Sequence, residues 1–312
     1  MGSALEFKNL EFPIRYTIKR YSSNRMPNNQ TMMAIVPRIP QEIVDCVHCV
    51  FSNPDDAATG ACIRGTSFVF AVDSETFGRK KSYYYAVTNR HVVAKGGHVI
   101  RINTAGHRAP EIIVIDPIEW EYHADGYDIA VSRYPLEFAD SSLITFIDLE
   151  GCATQDHIKK ANIGVGDDVF MAGTFVDLEK TMHNQPTVRF GNISSMPIPV
   201  INETTNKKVN SYLLDMHSRS GYSGSPVMVF RTRGGNFNRR SPNDAVPESP
   251  PILYFLGIHW GQFPDELTAK LNGEPVKIIG HSGMTLVHPA EYILEVLMSE
   301  KLRDIRAMKD KE

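Results

Sequence analysis

The chain has 312 residues, 42% hydrophobic and 22% charged, the make-up of a globular protein that buries one large core or two smaller ones. Its 33 basic and 36 acidic residues form no basic block, which excludes the usual footprint of a nucleic-acid or anionic-membrane partner, and no apolar run approaches the length of a membrane-spanning helix. Charge interrupts every short apolar run of the first twenty residues, unlike a secretory leader, so a soluble, cytoplasmic protein is expected, or a secreted one if a leader has been removed.

Residues 1–42 read as an irregular extension, with Pro13, Pro27, Pro37 and Pro40 and the polar tract "SSNRMPNNQ". Short β-branched and aromatic stretches then follow at regular spacing: "EIVDCVHCVF", "GTSFVFAV", "SYYYAVTN", "GHVIRIN", "EIIVID" and "DIAVSRY", parted by turn-rich pieces such as "SNPDDAATG". A second series begins after "ATQDHIKKANIGVGD": "DVFMAGTFV", "PTVRFGNISSM", "KVNSYLLDMH", "SPVMVFRT", "PILYFLGIHWG" and "GMTLVHP". Two sets of about six strands with few helices predict an all-β protein, as two barrels or a sandwich. The segment "TRGGNFNRRSPNDAVPESPP" reads as a long hairpin loop. From Pro289 a closing amphipathic α-helix is predicted, with Glu291 in its first turn and Ile293, Val296, Leu297, Leu302 and Ile305 on one face.

The four cysteines, Cys46, Cys49, Cys62 and Cys152, are too few and too clustered for a disulfide framework. "CVHC" with His48 and Cys62 invites a zinc reading. Spaced along one apolar strand, however, Cys46 and Cys49 would face opposite ways, so buried structural thiols and no metal are expected.

Three further segments carry candidate chemistry. "SRSGYSGSPVMVF", Ser218 to Phe230, sets a glycine- and serine-rich turn before a buried strand; it is either a plain turn or a nucleophile loop with Ser223 as the nucleophile and the amides of Gly221 and Ser223 as oxyanion donors. A serine nucleophile needs a base, and His91 in "YYYAVTNRHVVAK" sits at a strand end. The base needs an orienting acid; Asp128, at the start of an apolar strand in "HADGYDIAVSRY", is a poor place for an unpaired charge and wants a partner.

These segments resemble the trypsin-like (chymotrypsin-fold) serine peptidases: "VTNRHVV" with "GTSFVF" upstream resembles the family's histidine segment, "DIAV" its aspartate segment and "GYSGSPV" its serine segment, in the same order. The resemblance covers roughly residues 42–298. It implies two six-stranded antiparallel β-barrels, residues 43–145 and 146–288, followed by the helix and tail at 289–312. It also implies a catalytic triad of His91, Asp128 and Ser223, an oxyanion hole from Gly221 and Ser223, no cofactor, and a protein or peptide substrate. "DMHSRSGYSGSPV" and "GIHWG" are most similar to the glutamyl endopeptidases of the staphylococcal V8 type, which implies a primary pocket of Ser218, His259, Trp260 and Gly261 and cleavage after Glu or Asp, weakening as pH rises and His259 loses its proton. Two features depart from the pattern: Tyr222 stands where a small polar residue is common, and Val92 where a cysteine often follows the histidine. The alternative reading is a catalytically silent relative that binds peptides or a protein in the same cleft.

Overall fold

The computed structural model describes residues 39, 41–76, 79–104, 109–134, 145–176, 181–202, 205–231, 252–271 and 274–310. The first series opens with α1 (Gln41–Asp45) and β1 (Val47–Phe51), so the stretch expected as one strand from residue 42 is half helix. "SNPDDAATG", expected as a turn, forms α2 (Pro54–Thr59): the Asn53 side chain caps it by accepting from the Asp56 N–H, Pro54 sits in its first turn and Gly60 ends it in the left-handed conformation. Next come β2 (Gly65–Thr76), β3 (Arg79–Thr88), α3 (Arg90–Ala94), β4 (Val99–Ile102), β5 (Glu111–Val114), β6 (Trp120–Tyr122), β7 (Ala130–Arg133) and β8 (Ile147–Asp148).

These strands form one sheet in the order β5-β4-β1-β2-β3-β7-β6, with β8 parallel to β2. This corrects the expectation of a six-stranded first barrel. The outermost strands, β5 and β6, follow one another in the chain, but a 3-10 turn at Pro117–Glu119 separates them. No ladder joins them among the described residues.

The second series follows α4 (Gln155–Ala161) and consists of β9 (Asp168–Gly173), β10 (Thr187–Asn202), β11 (Lys207–Asp215), β12 (Pro226–Arg231), β13 (Ile252–Leu271) and β14 (Glu274–Pro289). Here the barrel closes with six strands, β10-β11-β14-β13-β12-β9. The predicted loop between β12 and β13, and most of the N-terminal extension, lie outside the described residues. The closing helix is two helices, α5 (Ala290–Leu297) and α6 (Glu300–Lys309), broken at Met298 and Ser299. Ile293, Val296, Leu297 and Leu302 are buried as their spacing requires.

A single apolar core joins the sheet to the barrel. Phe68 and Phe70 of β2 and Tyr85 of β3 pack with Phe170 of β9, Met228 of β12 and Phe255 of β13, and the Phe68 and Phe255 rings meet edge-on at 5.3 Å. Cys46 belongs to this core, whereas Cys49 packs in a separate cluster with Phe51 and Val99. All four cysteines are free thiols, and Cys62 alone among them is exposed. Among the described residues no helix is long and apolar enough to cross a membrane.

Candidate active site

His91 lies in the first turn of α3, directly after β3, and not at a bare strand end. Val92 and Val93 are buried and fix that helix against the sheet. Asp128 precedes β7 and is only 4% exposed. It meets His91 twice: the His91 backbone N–H donates to Oδ1 at 2.8 Å, and Nδ1 lies 2.5 Å from Oδ2. With Nδ1–H donating to the carboxylate, Nε2 is the basic nitrogen and its lone pair is available.

The Asp128 main chain is held on both sides. Asn89 Nδ2 donates to its carbonyl at 2.7 Å, and its N–H donates to His288 Nε2 at 3.1 Å. Burial holds the His288 pKa down at about 3, so that ring is a neutral acceptor at ordinary pH. It stacks on Trp260 at 4.7 Å, and the indole N–H donates to Ser211 Oγ at 3.1 Å.

Ser223 is half-buried on the loop leading into β12. Residues Arg219–Tyr222 make a β-turn in which the Tyr222 N–H donates to the Arg219 carbonyl at 3.3 Å and Gly221 has φ +100°, the signature of a type II turn. A Cβ on Gly221 would lie 2.4 Å from the Thr174 carbonyl, so both space and conformation demand glycine. The Ser220 carbonyl accepts from Val176 N–H at 3.4 Å, and the Tyr222 carbonyl from Ser225 N–H at 2.9 Å. In a trans peptide the N–H points opposite the carbonyl, so these bonds set the directions of the Gly221 and Ser223 amides. Neither amide donates to a protein acceptor among the described residues.

Thr66, at the start of β2, ties this loop to the sheet that carries His91. Its N–H donates to the Ser223 carbonyl at 2.8 Å and its hydroxyl to the Gly221 carbonyl at 2.7 Å. Gly224, at φ +89°, fits because a Cβ there would fall 2.1 Å from the Thr66 carbonyl. Thr66, Asn89 and His288 are not legible as site residues in the sequence. The nearest signal is their position, Thr66 inside "GTSFVF" and Asn89 inside "VTNRHVV". No hydrogen bond joins Ser223 Oγ to the His91 ring among the described residues.

Ser218 and His259 are also brought together. Both are buried, Ser218 Oγ lies 2.7 Å from His259 Nε2, and His259 Nδ1 lies 3.2 Å from the Leu286 carbonyl. A carbonyl can only accept, so Nδ1 carries the proton and Nε2 accepts from the Ser218 hydroxyl. Burial lowers the His259 pKa to about 4, against the upward pull of the Leu286 carbonyl. The ring is therefore neutral, with both nitrogens engaged. Trp260 faces His288, while a Cβ on Gly261 would touch only Leu286, at 3.8 Å. No group of three or more His, Cys, Asp or Glu side chains placed to hold a metal ion occurs among the described residues.

No protein-family model matches the sequence, and no curated protein is similar to it. Among solved structures, the chain is similar to the MamO protease domain from Magnetospirillum magneticum at 16% identity, covering 83% of this chain and 98% of that one, with a TM-score of 0.44. It is similar to the Rv3671c protease of M. tuberculosis in its active form at 16% identity, covering 88% and 93%, with a TM-score of 0.39. It is also similar to the HtrA-type protease AlgW with a decapeptide, at 16% identity, covering 76% and 51%, with a TM-score of 0.42. At these TM-scores the likenesses carry no weight for the function of this chain.

Proposed function

We propose that this protein is a serine endopeptidase that cleaves protein or peptide substrates through an acyl-enzyme. The observation that carries this reading is the doubly bonded His91–Asp128 pair, on α3 and the segment before β7, next to a turn from the barrel that carries Ser223 and two amides with no protein acceptor among the described residues. His91 Nε2 takes the Ser223 proton as Oγ attacks the scissile carbonyl, and the C–O bond forms as the carbonyl π pair moves onto oxygen. The Gly221 and Ser223 amides donate to that oxyanion. As the oxyanion collapses, the C–N bond breaks and His91 returns the proton to the leaving amine; water, deprotonated by the same nitrogen, then hydrolyses the ester. Asp128 keeps the Nδ1–H tautomer and stabilises the imidazolium. No cofactor takes part.

The test is labelling with a fluorophosphonate, followed by peptide mapping. Modification at Ser223 that is lost in Ser223→Ala supports the reading, and an active Ser223→Ala protein overturns it. One observation favours the alternative, a silent module that binds peptides in the same cleft: the missing Ser223–His91 hydrogen bond. A folded wild-type protein that resists the reagent yet binds peptides in a titration would support that alternative.

The narrower reading, cleavage after Glu or Asp, draws on the contact between Ser218 and His259. As His259 stands, it offers a substrate carboxylate no donor. Binding one requires the Ser218 hydroxyl to turn and Nε2 to take up a proton, so the preference belongs to acid pH and fades as pH rises. A peptide library cleaved at pH 5 and pH 8 tests it, and equal cleavage after Leu, Phe or Lys at both values removes it.

A further inference from the structure

The residue between the two amide-bearing positions is Tyr222, a bulky side chain where the serine segment of similar peptidases carries a small polar one. It is fully buried and reaches into the barrel. Its ring lies across paired strands β9 and β10, in a slot that exists because residue 173 is glycine: a Cβ on Gly173 would fall 2.6 Å from the ring. Directly opposite Gly173 in that ladder is Thr187. The hydroxyl oxygen of Thr187 bonds the Tyr222 hydroxyl and donates to the Gly173 carbonyl at 3.5 Å. Arg189, two residues along β10, donates to the Tyr222 hydroxyl through Nε at 3.4 Å, and its guanidinium sits 5.7 Å from the ring centroid.

The donors run in one direction. Arg189 Nε–H donates to the Tyr222 oxygen; with the Thr187 O–H on the Gly173 carbonyl, which can only accept, the proton between the two hydroxyls is the one from Tyr222. A cationic first donor strengthens such a chain. The other end of Tyr222 is the main chain of the turn, whose carbonyl fixes the Ser223 amide and whose N–H closes the turn on Arg219.

We propose that Tyr222 is the positioning residue of the oxyanion turn: its anchor on Thr187 and Arg189 of β10 keeps the Gly221 and Ser223 amides aimed at one point. This rests on the serine-peptidase reading above. It assigns to Tyr222 an effect on the tetrahedral state and not on substrate binding, because its side-chain contacts among the described residues lie in the barrel, with Thr187, Arg189 and the apolar cluster behind them.

The test measures Tyr222→Phe, Thr187→Val, the double variant and Thr187→Ser, each normalised to its fluorophosphonate titre. Tyr222→Phe and Thr187→Val are expected to lower kcat per titrated site by about 10- to 100-fold with KM within about twofold, and to weaken a peptide aldehyde, which forms an oxyanion, by a similar factor. The double variant should lose no more than either single one, and Thr187→Ser, which keeps the hydroxyl, should restore kcat. A purely structural role would lower the melting temperature and the titre while leaving kcat per site unchanged, and that result overturns the proposal. So do independent, additive losses in the double variant. If the wild type itself fails to react with the fluorophosphonate, the peptidase reading falls as well, which separates the two failures.

Discussion

Asp128 holds His91 by two atoms at once, accepting from its backbone N–H on Oδ1 at 2.8 Å and meeting its ring nitrogen with Oδ2 at 2.5 Å. A carboxylate that grips both the main chain and the ring of one residue fixes the ring's tautomer and its direction together. Replacing it by asparagine keeps the shape but presents an amide donor to one of those sites. Asp128→Asn is therefore expected to lower peptide turnover by about 10⁴ with little change in melting temperature. Steady-state kinetics beside a thermal melt checks this, and a loss below tenfold would remove Asp128 from the mechanism.

Gly221 tests the turn. Alanine there must adopt φ +100° and place its Cβ 2.4 Å from the Thr174 carbonyl, so the turn has to change type or move. In the other common turn the central peptide is flipped, and the Gly221 amide leaves the site. Gly221→Ala is expected to lose 10²–10³-fold in kcat, the cost of one oxyanion donor, and to leave far-ultraviolet circular dichroism unchanged. Near-normal turnover in this variant would mean that the amide does not face the oxyanion.

Three buried histidines give stability a pH dependence of definite sign. Burial lowers His48 and His259 to about 4 and His288 to about 3, against an ordinary value of 6.5. Above pH 6.5 all three are neutral in both the folded and the unfolded chain. As pH falls below 6.5 the unfolded chain binds protons that the folded one refuses, so stability is lost from there down to about pH 4. Each histidine contributes roughly 1.4 kcal/mol per pH unit within its window. Urea midpoints measured from pH 7.5 to 4.5 should fall accordingly, and His288→Gln should flatten the slope. A midpoint that is flat across this range contradicts the burial of these rings.

Ser218 and His259 satisfy one another, so removing one leaves the other exposed to the cost of a lost partner. Ser218→Ala leaves His259 Nε2 as an unpaired buried acceptor, a penalty of about 1–3 kcal/mol. The His259 ring should also titrate differently in the variant by nuclear magnetic resonance. An unchanged ring resonance and unchanged stability would place the hydroxyl elsewhere.

The thiols separate by burial. Ellman's reagent should react with Cys62 in the folded protein and with all four cysteines in denaturant without reductant. A thiol missing from the denatured count would show a disulfide. Burial, which raises the Cys46 thiol to about 12 and raises the Cys49 and Cys152 thiols as well, should keep those three slow in the folded protein.

The strand stretches were legible because their signals are local. Alternation in "GTSFVFAV" puts Phe68 and Phe70 in the shared core and Val69 in a second cluster on the other face. The signals of α2 are equally local, in the run from Asn53 to Gly60, but the same residue types also make turns, so the run reads either way. Whether a sheet closes depends on how its two edges meet, which no window of residues contains. The barrel of β9–β14 closes, whereas among the described residues no ladder joins β5 and β6 at the ends of the first sheet.

The candidate site divides in the same way. Residue types make His91, Asp128 and Ser223 candidates only, since a charge before an apolar strand and a serine between glycines also have plain structural readings; it is the resemblance of their three segments to serine peptidases that joins them. What only the tertiary structure decides is which groups are already spent. The Ser218 hydroxyl and both nitrogens of His259 are used on one another and on Leu286, while among the described residues the amides of Gly221 and Ser223 have no protein acceptor. The anchor of Tyr222 on Thr187 crosses 35 residues of chain, and the tie of Thr66 to Gly221 crosses 155. Hydrogen bonds are short, directional and consumed by the first partner that reaches them, so their allocation is a property of the packed chain and is invisible in its one-dimensional order.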